Sequence, residues 1–419
     1  MLSDQFVAVA AKRLAAVDTR RTTANGHKSN QHEVNGSKVL MRILGDQPRK
    51  LSREFGSDTR FRATYIWLSN EQEAISEEGR ASWYDSREKV ETRSPEWRLY
   101  YQTNSVTDLM APGDTLFVAL RPDDHLFFIV APDGSTIQSQ LLWLFGLSEQ
   151  PGLQFEQREL TTDGGGELDF AARYILDELG IDPEEPETEL LDRLIAPFRQ
   201  KFPTTRIFSE AARRSLPDVS PRDAPDLALV AWMDREESMF RRLERHIVAE
   251  KIANGFVSAG DADVDGFLKF SLSVQNRRKA RAGQALEHHL EALFKANDVR
   301  YSRGAVTENK NKPDFLFPGA AEYHDASFDP AALTMLGAKS SVKDRWRQVL
   351  SEAVRIPEKH LLTLAPGISE NQTDEMKAKS LRIVAPISLH SAYKASQRSW
   401  LMTVSDFLDH VHERQNRAA

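Results

Sequence analysis

The sequence predicts an α+β protein of more than one domain, with a β-rich N-terminal part and a C-terminal part of mixed helices and strands. The chain has 419 residues, which exceeds the usual size of a single domain. In residues 1–150, short aromatic and β-branched runs are bounded by turn residues, as is typical of strands. From about residue 200 onward, longer segments with helical apolar spacing alternate with short apolar runs.

The N-terminal strands include the aromatic run FRATYIWL at 61–68. Two further apolar runs, 114–121 and 125–131, flank the turn signal RPDD and therefore predict a hairpin. We expect residues 1–150 to form a small antiparallel barrel or sandwich with a few helices.

The segment TTDGGGELD at 161–169 indicates a flexible link, so residues 151–195 are predicted to be a partly helical linker. Residues 196–415 are predicted to form the C-terminal domain. Its amphipathic segments predict helices at 234–252, 284–296 and 344–356. Its short apolar runs predict strands at 312–318, 334–339, 360–364 and 381–384.

The composition excludes several classes of protein. Hydrophobic residues make up 40% and charged residues 28%, which excludes a largely disordered chain. No apolar run is long enough to span a membrane, and the N-terminus lacks the apolar core of a signal peptide. The absence of cysteine excludes disulfides, cysteine zinc sites and thiol nucleophiles, and agrees with a cytoplasmic location.

The net charge of −7 argues at first against a nucleic-acid partner, because DNA binding draws on lysine and arginine. Basic residues are nevertheless concentrated at 276–281 and 339–347, whereas acidic residues predominate at 181–189. An acidic body with basic segments fits an enzyme that holds DNA in a cleft.

Three residues form the candidate catalytic set. Asp314 stands at the head of one predicted strand, Lys339 ends the next, and Glu352 follows on the predicted helix. Hydrolysis of a phosphodiester needs a divalent cation, an activated water and charge stabilisation at phosphorus. Two carboxylates suit magnesium, and an ammonium can contact the scissile phosphate. Glu287, on the preceding helix, could contact a metal-bound water or a second ion.

Each of these residues alone has an ordinary interpretation. A Pro-Asp pair is commonly a turn, and Glu352 or Glu287 could be an exposed acid on a helix surface. Spacing alone therefore does not choose between a catalytic site and an unremarkable surface.

The motifs at 273–294, 311–318, 322–325 and 337–353 resemble the catalytic domain of the EcoRII-type restriction endonucleases, over roughly 255–407. These enzymes belong to the PD-(D/E)XK nucleases, in a subgroup whose second acid lies on the helix after the lysine. The resemblance implies a restriction-endonuclease-like fold, with a central mixed sheet flanked by helices.

Residue by residue, the resemblance implies catalytic roles for Asp314, Lys339 and Glu352, with Glu287 as an upstream glutamate. It implies Mg²⁺ as the cofactor, held by Asp314 and Glu352. Tyr323 matches a tyrosine of that active site, although its hydroxyl could equally form a hydrogen bond in the core.

Lys343, Asp344 and Arg345 match the segment with which the family reads CC/GG base pairs. Lysine and arginine donate to guanine, and aspartate accepts from cytosine, in the major groove. A salt-bridged helix start is the alternative. Three further arginines are predicted to contact backbone phosphates or a dimer interface: Arg277, Arg278 and Arg281.

Family members flip the central base of their site, and here Met233 and Glu237 stand at the aligned positions, so the sequence does not predict that base. Trp346 is predicted to lie in the core rather than to stack on a base.

The first 150 residues resemble the effector domain of the same family, which has the DNA-binding pseudobarrel of plant B-three transcription factors. The segments 22–36 and 80–98 resemble its two DNA-gripping arms. The resemblance places His32, Arg87 and Arg93 at effector DNA-binding positions. The alternative is a β-domain whose arginines are only surface charges.

The main hypothesis is a type II restriction endonuclease that hydrolyses both strands of double-stranded DNA at a CCWGG- or CCNGG-like site, leaving 5′-phosphates. A homodimer is expected because the site is nearly two-fold symmetric. A cognate cytosine methyltransferase is expected as the functional partner, and effector DNA as a regulator that relieves autoinhibition. The alternatives are a DNA-binding regulator without cleavage and a methylation-dependent nuclease.

Overall fold

A computed structural model describes most of the chain. The described residues are 2–19, 32–49, 60–69, 74–89, 92–148, 151–160, 169–183, 188–199, 201–258, 261–342 and 346–417. The chain divides into two compact units: Met1–Pro183 with Gly367–Asn371, and Glu184–Pro366 with Gln372–Ala419. Within the described ranges, no helix has the length and apolarity needed to cross a membrane.

The first unit is built around one eight-stranded sheet. Its strands are β1 Ala8–Arg13, β2 Glu33–Asn35, β3 Phe61–Trp67, β4 Ile75–Asp85, β5 Trp97–Tyr101, β6 Thr115–Leu120, β7 Leu126–Ala131 and β8 Glu156–Glu159. The strand order is β2-β5-β4-β3-β7-β6-β1-β8. β3 and β7 pair in parallel, whereas every other pair of this sheet is antiparallel.

The predicted hairpin is β6–β7, which pairs from Thr115 opposite Ala131 to Leu120 opposite Leu126. Its turn is closed by the amide of Arg121, which donates to the carbonyl of His125 at 2.9 Å. The RPDD signal therefore identifies a real turn, and the hairpin prediction is confirmed.

The central strands of the sheet are apolar on both faces because both faces are covered. One face packs against the helices α2 Thr136–Phe145 and α3 Phe170–Glu178. The other face encloses the stacked rings of Trp83 and Trp97 and is covered by the helix α1 Lys38–Leu44. All side chains of β6 and β7 are buried as a result. The outcome is a curled half-barrel rather than a closed barrel or two stacked sheets.

The remaining α-helices of the described residues lie from Thr188 onward. They are α4 Thr188–Ile195, α5 Thr205–Arg214, α6 Pro225–Ala253, α7 Val264–Ala296, α8 Ala320–His324, α9 Trp346–Val349, α10 Glu370–Ala378, α11 Ala395–Arg398 and α12 Val404–Arg417. The predicted helices at 234–252 and 284–296 are confirmed, and they are parts of the longer α6 and α7.

The second unit contains a five-stranded mixed sheet and a short hairpin. The hairpin strands are β9 Val257–Ser258 and β10 Asp261–Ala262, and the sheet strands are β11 Ser302–Arg303, β12 Phe315–Phe317, β13 Thr334–Lys339, β14 Lys359–Thr363 and β15 Leu381–Val384. The sheet order follows the chain, β11-β12-β13-β14-β15. β11, β12 and β13 pair antiparallel, and β13, β14 and β15 pair in parallel. The four predicted strands and the α+β class are confirmed.

The helix predicted at 344–356 is wrong in its second half. The described helix α9 is only Trp346–Val349, and the chain then turns. Ala353 adopts a φ of 47°, in the left-handed region, so a right-handed helix cannot continue through it. Glu352 therefore lies in a turn and not on a helix.

The predicted linker contributes to two different cores. Side chains of α3, including Ile175 and Leu176, are buried against the N-terminal sheet. Leu191 and Ile195 of α4 are buried with apolar residues of α5 and α6. The domain limits at residues 150 and 195 stay a prediction.

Candidate active site

Asp314 and Lys339 meet because their strands are neighbours. Asp314 immediately precedes β12 and Lys339 ends β13, and the register pairs Phe315 with Leu336. One carboxylate oxygen of Asp314 accepts hydrogen bonds from the Lys339 ammonium at 2.9 Å and from the backbone amide of Ala338 at 2.7 Å. Both side chains keep some exposure, 17% for Asp314 and 23% for Lys339, so a substrate can reach them.

Glu352 joins this pair from the turn after α9. Burial, reinforced by the negative charge of Asp314, raises the pKa of Glu352 to about 7, while the charges of Lys339 and Lys359 oppose the rise. Its oxygen Oε2 is buried and has no hydrogen-bond partner among the described residues. The structure thus brings together the three residues that the sequence singled out, with one carboxylate oxygen left unsatisfied.

The turn that carries Glu352 is held by hydrogen bonds to its backbone. The buried ammonium of Lys359 donates to the carbonyls of Ala353 at 3.1 Å and Ile356 at 2.9 Å. The side-chain amide of Asn311 donates to the carbonyl of Ser351 at 2.7 Å. Sequence reasoning missed Lys359. The signal that could have identified it is a lysine at the start of an otherwise apolar strand.

Tyr323 lies beside this turn rather than at the carboxylate pair. Its hydroxyl donates to the carboxylate of Glu308 at 2.6 and 2.8 Å. Glu308 in turn accepts from the backbone amide of Val354 at 3.3 Å. Burial raises the pKa of Tyr323 to about 12, so the hydroxyl is protonated and acts as a donor. The geometry makes Tyr323 a positioning residue for the turn, and its catalytic role stays a prediction.

We expect Tyr323→Phe to lower the cleavage rate about tenfold, because it loosens the turn that positions Glu352. Loss of a hydrogen bond to a charged acceptor should also reduce the free energy of unfolding by about 1–2 kcal/mol. The measurement is a double-mutant cycle with Glu308→Gln, read in cleavage rate and in unfolding. If Tyr323 and Glu308 act through one hydrogen bond, the double variant loses little more than either single variant; strictly additive losses would contradict this coupling.

Glu287 approaches the same site from α7. Burial, the largest cause, and the charge of Asp314 raise its pKa, whereas Arg303 and Lys339 oppose the rise. Arg303 donates to the Glu287 carboxylate at 2.7 and 3.1 Å and to that of Glu291 at 3.0 Å. Arg303, another residue that sequence reasoning missed, therefore fixes Glu287 at the border of the site.

The donor set fits a divalent cation. Asp314 and Glu352 are two carboxylates whose negative charges oppose each other, and Glu352 has an unsatisfied buried oxygen. A hard divalent cation that binds oxygen ligands would neutralise the repulsion between the carboxylates and give the buried oxygen of Glu352 a partner. The ammonium of Lys339 lies 2.9 Å from the carboxylate of Asp314.

The predicted base-reading residues Lys343, Asp344 and Arg345 lie outside the described residues. The positions on either side are described: Val342 is 2% exposed and Trp346 is fully buried. Trp346 therefore lies in the core, as predicted. The roles of these three residues stay a prediction.

The basic residues of α7 have different surroundings. Arg277 is exposed and its guanidinium lies over the ring of Phe202 at 4.3 Å. Arg278 is half-buried and forms a 2.6 Å hydrogen bond with Glu244. Arg277 is the better placed of the two for a phosphate.

Arg281 is buried in an ion-pair network. It contacts Glu236 at 2.5 Å and Glu237 at 3.0 Å, and its guanidinium lies over the ring of Phe240 at 3.9 Å. Met233 is buried as well. The predicted contact of Arg281 with DNA or with a second subunit would require this network to open, so it stays a prediction.

In the N-terminal unit, the first predicted arm is described only from residue 32 onward. His32 lies against two tyrosine rings, with centroids 6.0 and 6.1 Å away. Arg87 is half-buried and pairs with Glu96 at 2.7 Å, whereas Arg93 is exposed. Their predicted contacts with effector DNA remain a prediction.

Comparison with known proteins relates the C-terminal part of the chain to one family. Residues 240–408 match the family model of the EcoRII C-terminal domain. The type II restriction enzyme EcoRII of Escherichia coli is 44% identical over 185 residues, which cover 44% of this chain and 45% of that enzyme. The chain thus matches less than half the length of this curated relative.

Two kinds of solved structure are similar at lower identity. Metal-depleted Ecl18kI in complex with uncleaved, modified DNA is 19% identical, with a TM-score of 0.42, and the match covers 55% of this chain and 85% of that one. The complex of restriction endonuclease PspGI with substrate DNA is 16% identical, with a TM-score of 0.42, and the match covers 52% of this chain and 95% of that one.

Proposed function

We propose, on the premise that residues 240–408 are an EcoRII-like C-terminal domain, that this chain is a type II restriction endonuclease. It would hydrolyse both strands of double-stranded DNA at a short CC/GG-containing site and leave 5′-phosphates. The observation that carries the proposal is the convergence of Asp314, Lys339 and Glu352, three residues distant in the chain, at one partly exposed point.

Each group has a definite part in this proposal. Asp314 and Glu352 would hold Mg²⁺, which supplies charge stabilisation and an acidified water when bound. Lys339, whose ammonium donates to Asp314 at 2.9 Å, would contact the scissile phosphate and favour loss of a proton from the attacking water. Glu287, fixed by Arg303, adds negative charge at the border of the site and strengthens retention of the cation.

The test is digestion of plasmid DNA by the purified full-length chain. With Mg²⁺, discrete fragments are expected, and with excess chelator none. Sequencing the fragment ends gives the recognition site and the cut position together. A smear in place of bands would argue against a site-specific enzyme, and retarded but uncut DNA would favour the alternative of a binding regulator.

The recognition sequence proposed is CCWGG- or CCNGG-like. It rests on Lys343, Asp344 and Arg345, whose donors and acceptor suit G·C pairs in the major groove. These residues follow β13 closely in the chain, so reading and cutting groups share one short segment. A homodimer on the two-fold site completes the proposal, and a cytosine methyltransferase of the same specificity would protect host DNA. Cleavage of unmethylated but not of methylated DNA distinguishes this enzyme from a methylation-dependent nuclease.

The curled N-terminal sheet is proposed to bind a second, effector DNA and to inhibit cleavage until it does so. The support is its half-barrel topology and the exposed Arg93 on the second predicted arm. Effector DNA would bind the uninhibited state more tightly than the inhibited state, and would thereby raise the population of the uninhibited state.

A chain that begins at residue 184 is expected to cleave single-site DNA at least as fast as the full-length protein. This cut keeps α4, whose Leu191 and Ile195 are buried with α5 and α6. The comparison is the cleavage rate of one-site and two-site plasmids by both proteins. A chain that begins at residue 196 serves as the control for folding, and it should unfold at lower temperature because that apolar packing is lost. A folded 184–419 protein that neither binds nor cuts DNA would refute autoinhibition.

A further inference from the structure

A second cluster of metal-binding side chains lies in the C-terminal unit. Glu358, His360 and His410 each offer one ligand atom, and these atoms all lie within 4.8 Å of one another. Glu358 immediately precedes β14, His360 lies on β14, and His410 lies on α12. Side chains alternate along a strand, so Glu358 and His360 point away from the side on which Lys359 holds the turn of Glu352.

Both ring nitrogens of His360 and one of His410 lack ordinary hydrogen-bond partners among the described residues. His360 is fully buried, and neither of its ring nitrogens has a hydrogen bond of standard geometry with a described residue, although the backbone of Met335 approaches the ring. Nε2 of His410 is likewise buried without a partner in the described part of the chain. Buried polar groups without hydrogen bonds are costly and call for an explanation.

The electrostatics suit neutral imidazole ligands. Burial lowers the pKa of His360 to about 3 and also lowers that of His410, so both rings are neutral at physiological pH. Arg414 donates to Glu358 at 3.3 Å, but a carboxylate has about four lone-pair sites and can accept this bond and still bind a cation.

We propose that Glu358, His360 and His410 form a binding site for a divalent transition metal of the zinc type, separate from the site at Asp314. Two imidazoles and one carboxylate are a typical ligand set for zinc, with bonds of about 2.0–2.2 Å and a fourth position for water. The three ligand atoms, which lie within 4.8 Å of one another, would close around the ion on binding. The bound ion would fasten α12 to the start of β14.

The experiment uses the full-length chain after dialysis against a chelator. Zn²⁺ is added and its binding is measured by elemental analysis and by the rise in Tm, and Co²⁺ is used as a spectroscopic probe, since histidine nitrogen ligands at low coordination number give it a strong visible absorption. One tightly held Zn²⁺, a Tm increase of several degrees and the Co²⁺ absorption are expected. Failure of the wild-type chain to show them overturns the proposal.

Two variants of the cluster and two controls locate the ion. Loss of an outer-shell partner of a metal site lowers affinity about 10–100-fold. His410→Ala removes a ligand itself and should lower Zn²⁺ affinity by more than that, and Glu358→Gln should lower Zn²⁺ affinity as well. His412→Ala, on the same helix but outside the cluster, and Asp314→Asn, at the candidate active site, should both keep the Co²⁺ absorption. Circular dichroism serves to check that each variant is folded. An absorption that survives in both His410→Ala and Glu358→Gln, or that disappears in Asp314→Asn, contradicts the assignment.

Discussion

The Lys339→Met protein is expected to bind its DNA site and to leave it uncut. The methionine keeps most of the apolar length of the side chain, so β13 should pack as before, while the ammonium that contacts Asp314 at 2.9 Å is lost. Removing one preorganised charge-stabilising group typically costs about 10²–10³-fold in the chemical step, and loss of a positioned cation should cost at least that. DNA affinity should change far less, because many phosphate contacts share it.

The measurement is a single-turnover cleavage rate with Mg²⁺, together with a gel-shift assay in the presence of Ca²⁺. Lys379→Met is the matched control, since Lys379 is exposed and its 3.9 Å contact with Glu375 is on the surface. The control should cut at the wild-type rate. Equal rates for Lys339→Met and wild type would refute the assignment of the active site.

Glu352→Gln is expected to have two opposite effects: a large loss of cleavage and a gain in stability of the metal-free protein. The loss arises because an amide is a weak ligand for a hard cation, and about 10²–10³-fold is a reasonable minimum. The gain arises because burial and the charge of Asp314 oppose the ionised form of Glu352.

The sign of the pH effect follows from the raised pKa. The folded protein has a Glu352 pKa of about 7, above the ordinary value of 4.5. The stability that Glu352 contributes is therefore present below pH 4.5 and is lost as the pH rises through 7. At pH 8, Glu352→Gln should unfold with a free energy higher by about 1–2 kcal/mol, after allowance for partial exposure of the carboxyl.

Chemical unfolding of both proteins in chelator, at pH 5 and pH 8, checks this prediction. The difference between wild type and variant should grow with pH and should shrink or reverse when Mg²⁺ is added, because the cation favours the wild-type carboxylate. A difference independent of pH and of Mg²⁺ would mean that Glu352 does not face Asp314 in solution.

Sequence patterns predicted the parts of the fold that have strong local signals. The strand at 334–339 coincides with β13, and the RPDD hairpin is β6–β7, because in both cases apolar runs are bounded by turn residues. The helix at 344–356 was wrong beyond Val349. Lys359 and Glu308 hold the backbone of that turn, and contacts between residues distant in the chain leave no periodic signal.

The candidate site was predictable to a similar degree. Asp314 and Lys339 could be placed together from adjacent strand ends, whereas Glu352 depended on the resemblance to a family. Arg303 could not have been found, because β11 has only two residues and carries no recognisable pattern. Its importance comes from its contacts with Glu287 and Glu291 on a helix, which only the folded chain shows.

The strand order of the N-terminal sheet constrains how that unit is made during translation. β1 precedes β6 and β8 in the chain and lies between them in the sheet. It must therefore wait for more than a hundred further residues to be synthesised before it finds either neighbour, and such high contact order slows folding. An apolar strand without its partners is exposed to aggregation in the meantime, so we expect nascent chains of this unit to depend on chaperones more than those of the helical segment α5–α7.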